Sequence, residues 1–212
     1  MLNWNIYLVM DLKGYGNRSA YDIAVEAIEG GIEVLQIREK ELAADQFVLR
    51  AQPIRKLCQE KGVTFIVNDY LDLALELDAD GLHVGQDDLA GNEARKSLGK
   101  DKLIGISASS IEEAKIALEN GADYLGVGAI YPTSTKLDAG RAVTPALIKE
   151  IRKITSIPIV GIGGIGHGNA GPVISAGGNA VAVVSAICRA ENPTLATKSL
   201  RDEVIQTKAV KL

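Results

Sequence analysis

Eight short apolar runs alternate along the chain with longer stretches in which apolar residues return every three or four positions. The runs are Ile6–Met10, Val34–Ile37, Val63–Val67, Gly81–Val84, Leu103–Ser107, Tyr124–Val127, Ile157–Ile162 and Ala180–Val184. They are brief and rich in β-branched residues, the pattern of strands covered on both faces. Helical spacing marks Ala20–Glu29, Gln46–Lys61, Ile111–Asn120 and Pro145–Thr155 between them. Ser109 or Ser110 can cap the third of these helices, with Glu112 and Glu113 in its first turn and Gly121 just past its end. Small-residue pairs at Gly30-Gly31, Gly121-Ala122 and Gly177-Gly178 precede the next apolar run, as helix C-caps do. Repeated strand-then-helix units imply a parallel sheet with right-handed crossovers. The pattern predicts an α/β fold, a (β/α)8 TIM barrel formed as one catalytic domain over residues 1–212. An open doubly wound sheet is the alternative. The barrel is preferred because the eight units use up the chain and no Gly-x-Gly-x-x-Gly follows the first run.

Composition narrows the picture. Of 212 residues, 47% are hydrophobic, 24% charged and only 4% aromatic, which suits closely packed helices over buried strands. A net charge of −4 gives no general attraction for nucleic acid or a membrane surface, so positive charge for an anionic ligand must be local. No apolar run approaches the ~18 residues of a membrane span. The first residues show no basic segment leading into an apolar one, and a cytoplasmic enzyme is expected. Cys58 and Cys188 lie in apolar contexts and read as reduced, buried thiols. The sequence specifies no oligomeric state.

In a barrel, reacting groups belong at the C-terminal ends of the strands. The second run ends in Gln36-Ile37-Arg38-Glu39-Lys40, and alternation sends Gln36, Arg38 and Lys40 to one side and Ile37 and Glu39 to the other. Three donors together can hold a polar ring and a polyphosphate; a solvated strand end with a local Arg–Glu pair is the plainer alternative. The third run leads into Asn68-Asp69 and the fourth into Gly85-Gln86-Asp87-Asp88, carboxylates of the kind Mg²⁺ takes alongside phosphate and water. Helix capping by Asp69 and a turn at Asp87 are the competing roles. Ser107 ends the fifth run without a Ser–His–Asp pattern, so hydrogen bonding is expected of it rather than nucleophilic attack. Thr133-Ser134-Thr135-Lys136 after the sixth run forms a candidate anion loop. Gly163-Gly164 after the seventh and Val184-Ser185 after the eighth occupy the usual phosphate position of barrels. His83 reads as a packed, hydrogen-bonded barrel residue and His167 as an exposed loop residue; no Cys/His spacing suggests zinc.

These stretches, with Tyr7–Val9, Gly30–Lys40, Ile66–Asp69, Ala79–Leu89, Ile104–Ser107, Gly126–Gly128, Pro132–Lys136, Ile162–Ile165 and Val181–Ile187, resemble the thiamine-phosphate synthase family in order and over nearly the whole chain. The resemblance implies a transferase that couples hydroxymethylpyrimidine diphosphate to a thiazole phosphate with Mg²⁺, releasing pyrophosphate. It implies that Gln36, Ile37, Arg38, Glu39, Lys40, Asn68, Ser107 and Lys136 hold the pyrimidine diphosphate, with Arg38, Lys40, Ser107 and Lys136 acting in catalysis. Asp69 and Asp88 would bind the metal, and Thr133, Ser134, Thr135, Gly164, Val184 and Ser185 the thiazole phosphate. Met10, Ser109, Ala129 and Gly166-His167-Gly168 depart from the family pattern without removing any of these residues. A related thiazole tautomerase needs no diphosphate site, and a non-catalytic phosphate binder needs no paired carboxylates. A sugar-phosphate isomerase would want an acid/base pair that the sequence does not offer.

Overall fold

The computed structural model describes residues 2–86, 91–133, 135 and 142–210, with backbone alone at 91–93. Strands β1 (Ile6–Met10), β2 (Val34–Ile37), β3 (Thr64–Asn68) and β4 (Gly81–Val84) are followed by β5 (Leu103–Ala108), β6 (Tyr124–Gly128), β7 (Ile159–Ile162) and β8 (Ala180–Val183). All pair in parallel with their sequence neighbours, and β8 returns to β1 to close the barrel. The helices are α1 (Ala20–Gly30), α2 (Ala44–Lys61), α3 (Leu71–Glu76), α4 (Gly91–Leu98) and α5 (Ile111–Glu119). They continue with α6 (Thr144–Arg152), α7 (Gly171–Ser175), α8 (Ser185–Cys188) and α9 (Pro193–Ala209). None of the described helices is long and apolar enough to cross a membrane.

The caps show why the helices begin and end where they do. Ser19 and Asp22 form a reciprocal capping box at the start of α1, and Gly31 closes it in the left-handed region at φ 99°. Ser110 caps α5 by accepting from the Glu113 N–H, while Ser109 donates its own N–H and hydroxyl to the Glu113 carboxylate. Both serines therefore fix that helix start. α9 packs on α1 so closely that a Cβ at Gly30 would sit 2.5 Å from the Thr197 Cβ.

Strand alternation divides the apolar residues between two layers. Outward positions such as Leu8, Leu35, Ile37, Phe65, Val67 and Leu82 pack under the helices in one continuous core. Inward positions Tyr7, Val9, Val34, Ile66, Tyr124, Val160, Ala180 and Ala182 fill the barrel together with Trp4. The Trp4 ring meets Tyr7 and Tyr124 edge-on, at 5.9 and 5.2 Å between centroids. Apolar side chains thus occupy the barrel below, and polar inward positions remain for the C-terminal rim.

Candidate active site

The rim opens into a cavity of about 1080 Å³, above the ~300–1,000 Å³ of ordinary single-ligand pockets. Its wall takes Gln36, Arg38 and Lys40 from the end of β2, Asn68 and Asp69 from β3, and Ser107 from β5. Gln36 and Asn68 are buried, and the Gln36 amide donates to Asn68 Oδ1 at 2.6 Å. The Arg38 backbone N–H donates to the Met10 carbonyl at 2.8 Å, pinning the chain as it leaves β2. Its guanidinium is half-buried on the cavity wall and pairs with no acid among the described residues. Glu39 is turned the other way and accepts from the Leu12 and Glu41 N–H groups, so the local Arg–Glu pair does not form. Lys40 Nζ lies 3.5 Å from Asp69 Oδ2.

Asp69 has φ 64°, a left-handed conformation that Asp and Asn tolerate better than other side-chain-bearing residues. Its N–H donates to the His83 carbonyl at 2.9 Å. The N-cap position of α3 belongs to Tyr70, which makes no side-chain cap bond, so Asp69 is on the cavity wall without serving as that helix's cap. The same cavity is lined by Thr133, Thr135, Gly164, Val184 and Ser185, from the loops after β6, β7 and β8. The Thr133 hydroxyl accepts from the Thr135 N–H at 3.2 Å. Gly164, at φ 64°, packs so tightly on the loop after β6 that a Cβ there would lie 2.6 Å from the Pro132 carbonyl oxygen. Val184 leaves the strand geometry predicted for it, at φ −118° and ψ −82°, and becomes the N-cap of α8.

Two members of the Gln36–Lys40 stretch, Ile37 and Glu39, have side chains turned away from the cavity, on the side to which the alternation sends them. Ile37 is fully buried in the outer core, and Glu39, 4% exposed, is held by the N–H groups named above. The period-two alternation of the strand is the physical reason. Asp88, Ser134 and Lys136 lie outside the described residues, as does Asp87.

The sequence does not mark Tyr7, Tyr124 or Asn169 as wall residues, and it reads His83 only as the packed, hydrogen-bonded barrel residue that the structure shows. Tyr7, Tyr124 and His83 line the cavity floor: the Tyr7 hydroxyl donates to Gln36 Oε1 at 2.8 Å and lies 2.8 Å from the Tyr124 hydroxyl. His83 Nδ1 is 3.0 Å from the Tyr124 hydroxyl, and Nε2 is 3.0 Å from Ser107 Oγ. Burial raises both phenols above the usual tyrosine range. Asn169, also on the wall, shapes the loop after β7: its Oδ1 accepts from the Gly166 N–H at 2.8 Å and its amide donates to the Gly164 carbonyl at 3.0 Å. The one available signal was its place in a glycine-rich loop after a barrel strand. Cys58 and Cys188 are free and buried, and burial pushes both thiols up to about 12, so neither supplies a thiolate at neutral pH.

The thiamine monophosphate synthase family profile matches residues 6–187. The thiamine-phosphate synthase of Moorella thermoacetica is 45% identical over 208 residues, covering 98% of this chain and 99% of that protein. That of Methanospirillum hungatei is 43% identical, covering 97% and 100%. Among solved structures, the thiamine phosphate pyrophosphorylase of Pyrococcus furiosus superimposes with a TM-score of 0.87 at 34% identity, over 97% of each chain. The chain belongs to the thiamine-phosphate synthase family of transferases.

Proposed function

We propose that the protein couples 4-amino-2-methyl-5-(diphosphooxymethyl)pyrimidine to thiazole phosphate, or its carboxylate form, yielding thiamine phosphate and pyrophosphate by a dissociative substitution. The observation that carries the reading is the presence, within one cavity, of two kinds of wall. Gln36, Arg38, Lys40, Asn68, Asp69 and Ser107 line one part, and Thr133, Thr135, Gly164, Val184 and Ser185 another.

Each residue's part follows from its chemistry. Gln36, Asn68 and Ser107 bind the ring edge. Cleavage of the C–O bond leaves positive charge on the exocyclic methylene, delocalised by the ring amino group, and negative charge on the departing pyrophosphate. Arg38 and Lys40, with Lys136, neutralise that departing charge, where preorganised cations contribute most. The thiazole nitrogen attacks with its own lone pair, so no general base is required. Thr133, Ser134, Thr135, Gly164 and Ser185 fix the thiazole phosphate and thereby the approach of that nitrogen.

Mg²⁺ fits the donor set. It commonly takes one or two carboxylates and completes its shell with phosphate oxygens and water. Asp69 is such a carboxylate on the cavity wall, and Asp88 would be the second. When bound, Mg²⁺ supplies Lewis-acid neutralisation of the diphosphate oxygens. A cytoplasmic setting belongs to the same reading, since both substrates are small phosphorylated metabolites.

Incubation with both heterocycles and Mg²⁺ is expected to give thiamine phosphate and pyrophosphate in equal amounts, and omitting any one component should abolish both products. No thiamine phosphate from the complete mixture would overturn the reading. Isomerisation of the thiazole carboxylate alone would point to the tautomerase instead.

A further inference from the structure

Asn68, Gln36, Tyr7, Tyr124, His83 and Ser107 form one unbroken hydrogen-bonded chain across the barrel interior. Its direction follows from counting protons. A phenol carries one proton. Tyr7 directs its proton to Gln36, so the Tyr124 hydroxyl must donate to Tyr7. Tyr124 can then only accept from His83, whose Nδ1 must carry the hydrogen. In the neutral ring Nε2 is a lone-pair acceptor, and the Ser107 hydroxyl donates to it.

The two ends of the chain are therefore unlike. Gln36 occupies Asn68 Oδ1, which leaves the Asn68 amide hydrogens for the cavity. With the His83 ring neutral, the Ser107 proton is engaged by Nε2, which leaves the Ser107 oxygen as an acceptor. The surroundings are built for this chain. A Cβ at Gly105 would collide with the Tyr124 ring and His83 Nδ1, and one at Gly126 would come within 2.8 Å of His83 Cε1. Two interior positions thus carry no side chain where the imidazole crosses. Full burial of both tyrosines keeps them protonated, each with one hydrogen to give.

We propose that Tyr7, Tyr124 and His83 are positioning residues: they hold Asn68 as a donor and Ser107 as an acceptor, and so select an aminopyrimidine over its 4-oxo counterpart. This rests on the coupling reading above. A 4-aminopyrimidine offers an accepting ring nitrogen beside a donating amino group. The 4-oxo ring offers the reverse, a ring N–H beside a carbonyl. Accommodating it would require two amide flips, three hydroxyl rotations and a change of tautomer together. Sites whose polar groups would be left mispaired reject analogues strongly.

Tyr124→Phe removes the central hydroxyl and keeps the ring that Trp4 packs against. With the diphosphates of the amino- and 4-oxopyrimidines as paired substrates, kcat/KM for the amino form should fall about tenfold. Preference for it over the oxo form should shrink by roughly the same factor, while KM for thiazole phosphate stays unchanged. Nitrogen-15 NMR reads the chain directly, with His167→Gln assigning the only other histidine. The wild-type His83 ring should be a single neutral Nδ1–H tautomer, and a mixture in Tyr124→Phe. An Nε2–H tautomer or an imidazolium in the wild type overturns the proposal. So does a less active Tyr124→Phe with undiminished preference, the mark of a packing role alone. Should that variant fail to fold, Tyr7→Phe breaks the neighbouring link and is read the same way. Absence of coupling in the wild type would instead sink the reaction, since the spectrum decides the tautomer by itself.

Discussion

Arg38→Ala is expected to lower kcat/KM for the pyrimidine diphosphate by roughly 10²- to 10³-fold, the scale of losing one preorganised group that stabilises developing negative charge. Protein stability should be nearly unchanged. The guanidinium has no ion pair among the described residues, so its removal leaves no opposite charge stranded. What anchors the segment is the Arg38 backbone N–H on the Met10 carbonyl, and the substitution keeps it. In the proposed arrangement the thiazole phosphate is held by other loops, so its KM should not move. Arg38→Lys restores the charge without the planar fork, and only part of the loss should return. Steady-state kinetics with each substrate varied in turn, beside a urea unfolding curve, separate these effects. Full activity in Arg38→Ala, or a loss that tracks instability, would remove Arg38 from the diphosphate subsite.

The barrel was legible because its signals are local. Short β-branched runs and glycine caps recur at the spacing of strand–helix units, and the observed strands fall within a few residues of those runs. Alternation also placed Gln36, Arg38 and Lys40 on one face, as the cavity wall shows. Boundaries slipped where nothing polar announces them. α2 starts at Ala44, two residues before the predicted Gln46, and its N-cap Ala43 has no side chain to signal a start. Ile157 and Pro158 read as strand but precede β7, although the Pro158 carbonyl already accepts from the Leu125 N–H. α9 did carry a signal, Asn192 capping the Leu195 N–H with Pro193 at the first turn, but its mixed surface weakens the apolar periodicity.

Gln36, Arg38, Lys40, Asn68, Asp69 and Ser107 could be singled out one at a time along the chain, and the structure lines one cavity with them, but no hydrogen-bond network could be read there. Tyr7 and Tyr124 sit in apolar runs and look like core, which they also are. Their hydroxyls meet only because the barrel closes, bringing together residues 117 apart in sequence. No window along the chain can register such a contact. The same applies to the roles left open for Asp69. Only the backbone geometry shows that it stands outside the α3 cap, and that its φ of 64° demands a residue able to adopt the left-handed region.

That geometry makes Asp69→Asn a clean test of the proposed metal site. Asparagine adopts the left-handed region as readily as aspartate, so the turn should persist where alanine would strain it. The volume is also conserved, and the N–H bond to the His83 carbonyl does not depend on the side chain. What changes is one charged oxygen. If Asp69 holds Mg²⁺ against the diphosphate, the Mg²⁺ concentration for half-maximal rate should rise at least about tenfold. Activity at low Mg²⁺ should then fall by about 10²-fold and recover in part as the metal is raised. Lys40, 3.5 Å from Asp69 Oδ2, would lose its anionic neighbour and face the diphosphate more freely, so some loss at saturating metal should be offset. A rate falling equally at every Mg²⁺ concentration would assign Asp69 to placing Lys40 rather than to the metal. An unaltered Mg²⁺ titration at wild-type rate would leave the carboxylate with no part in the chemistry.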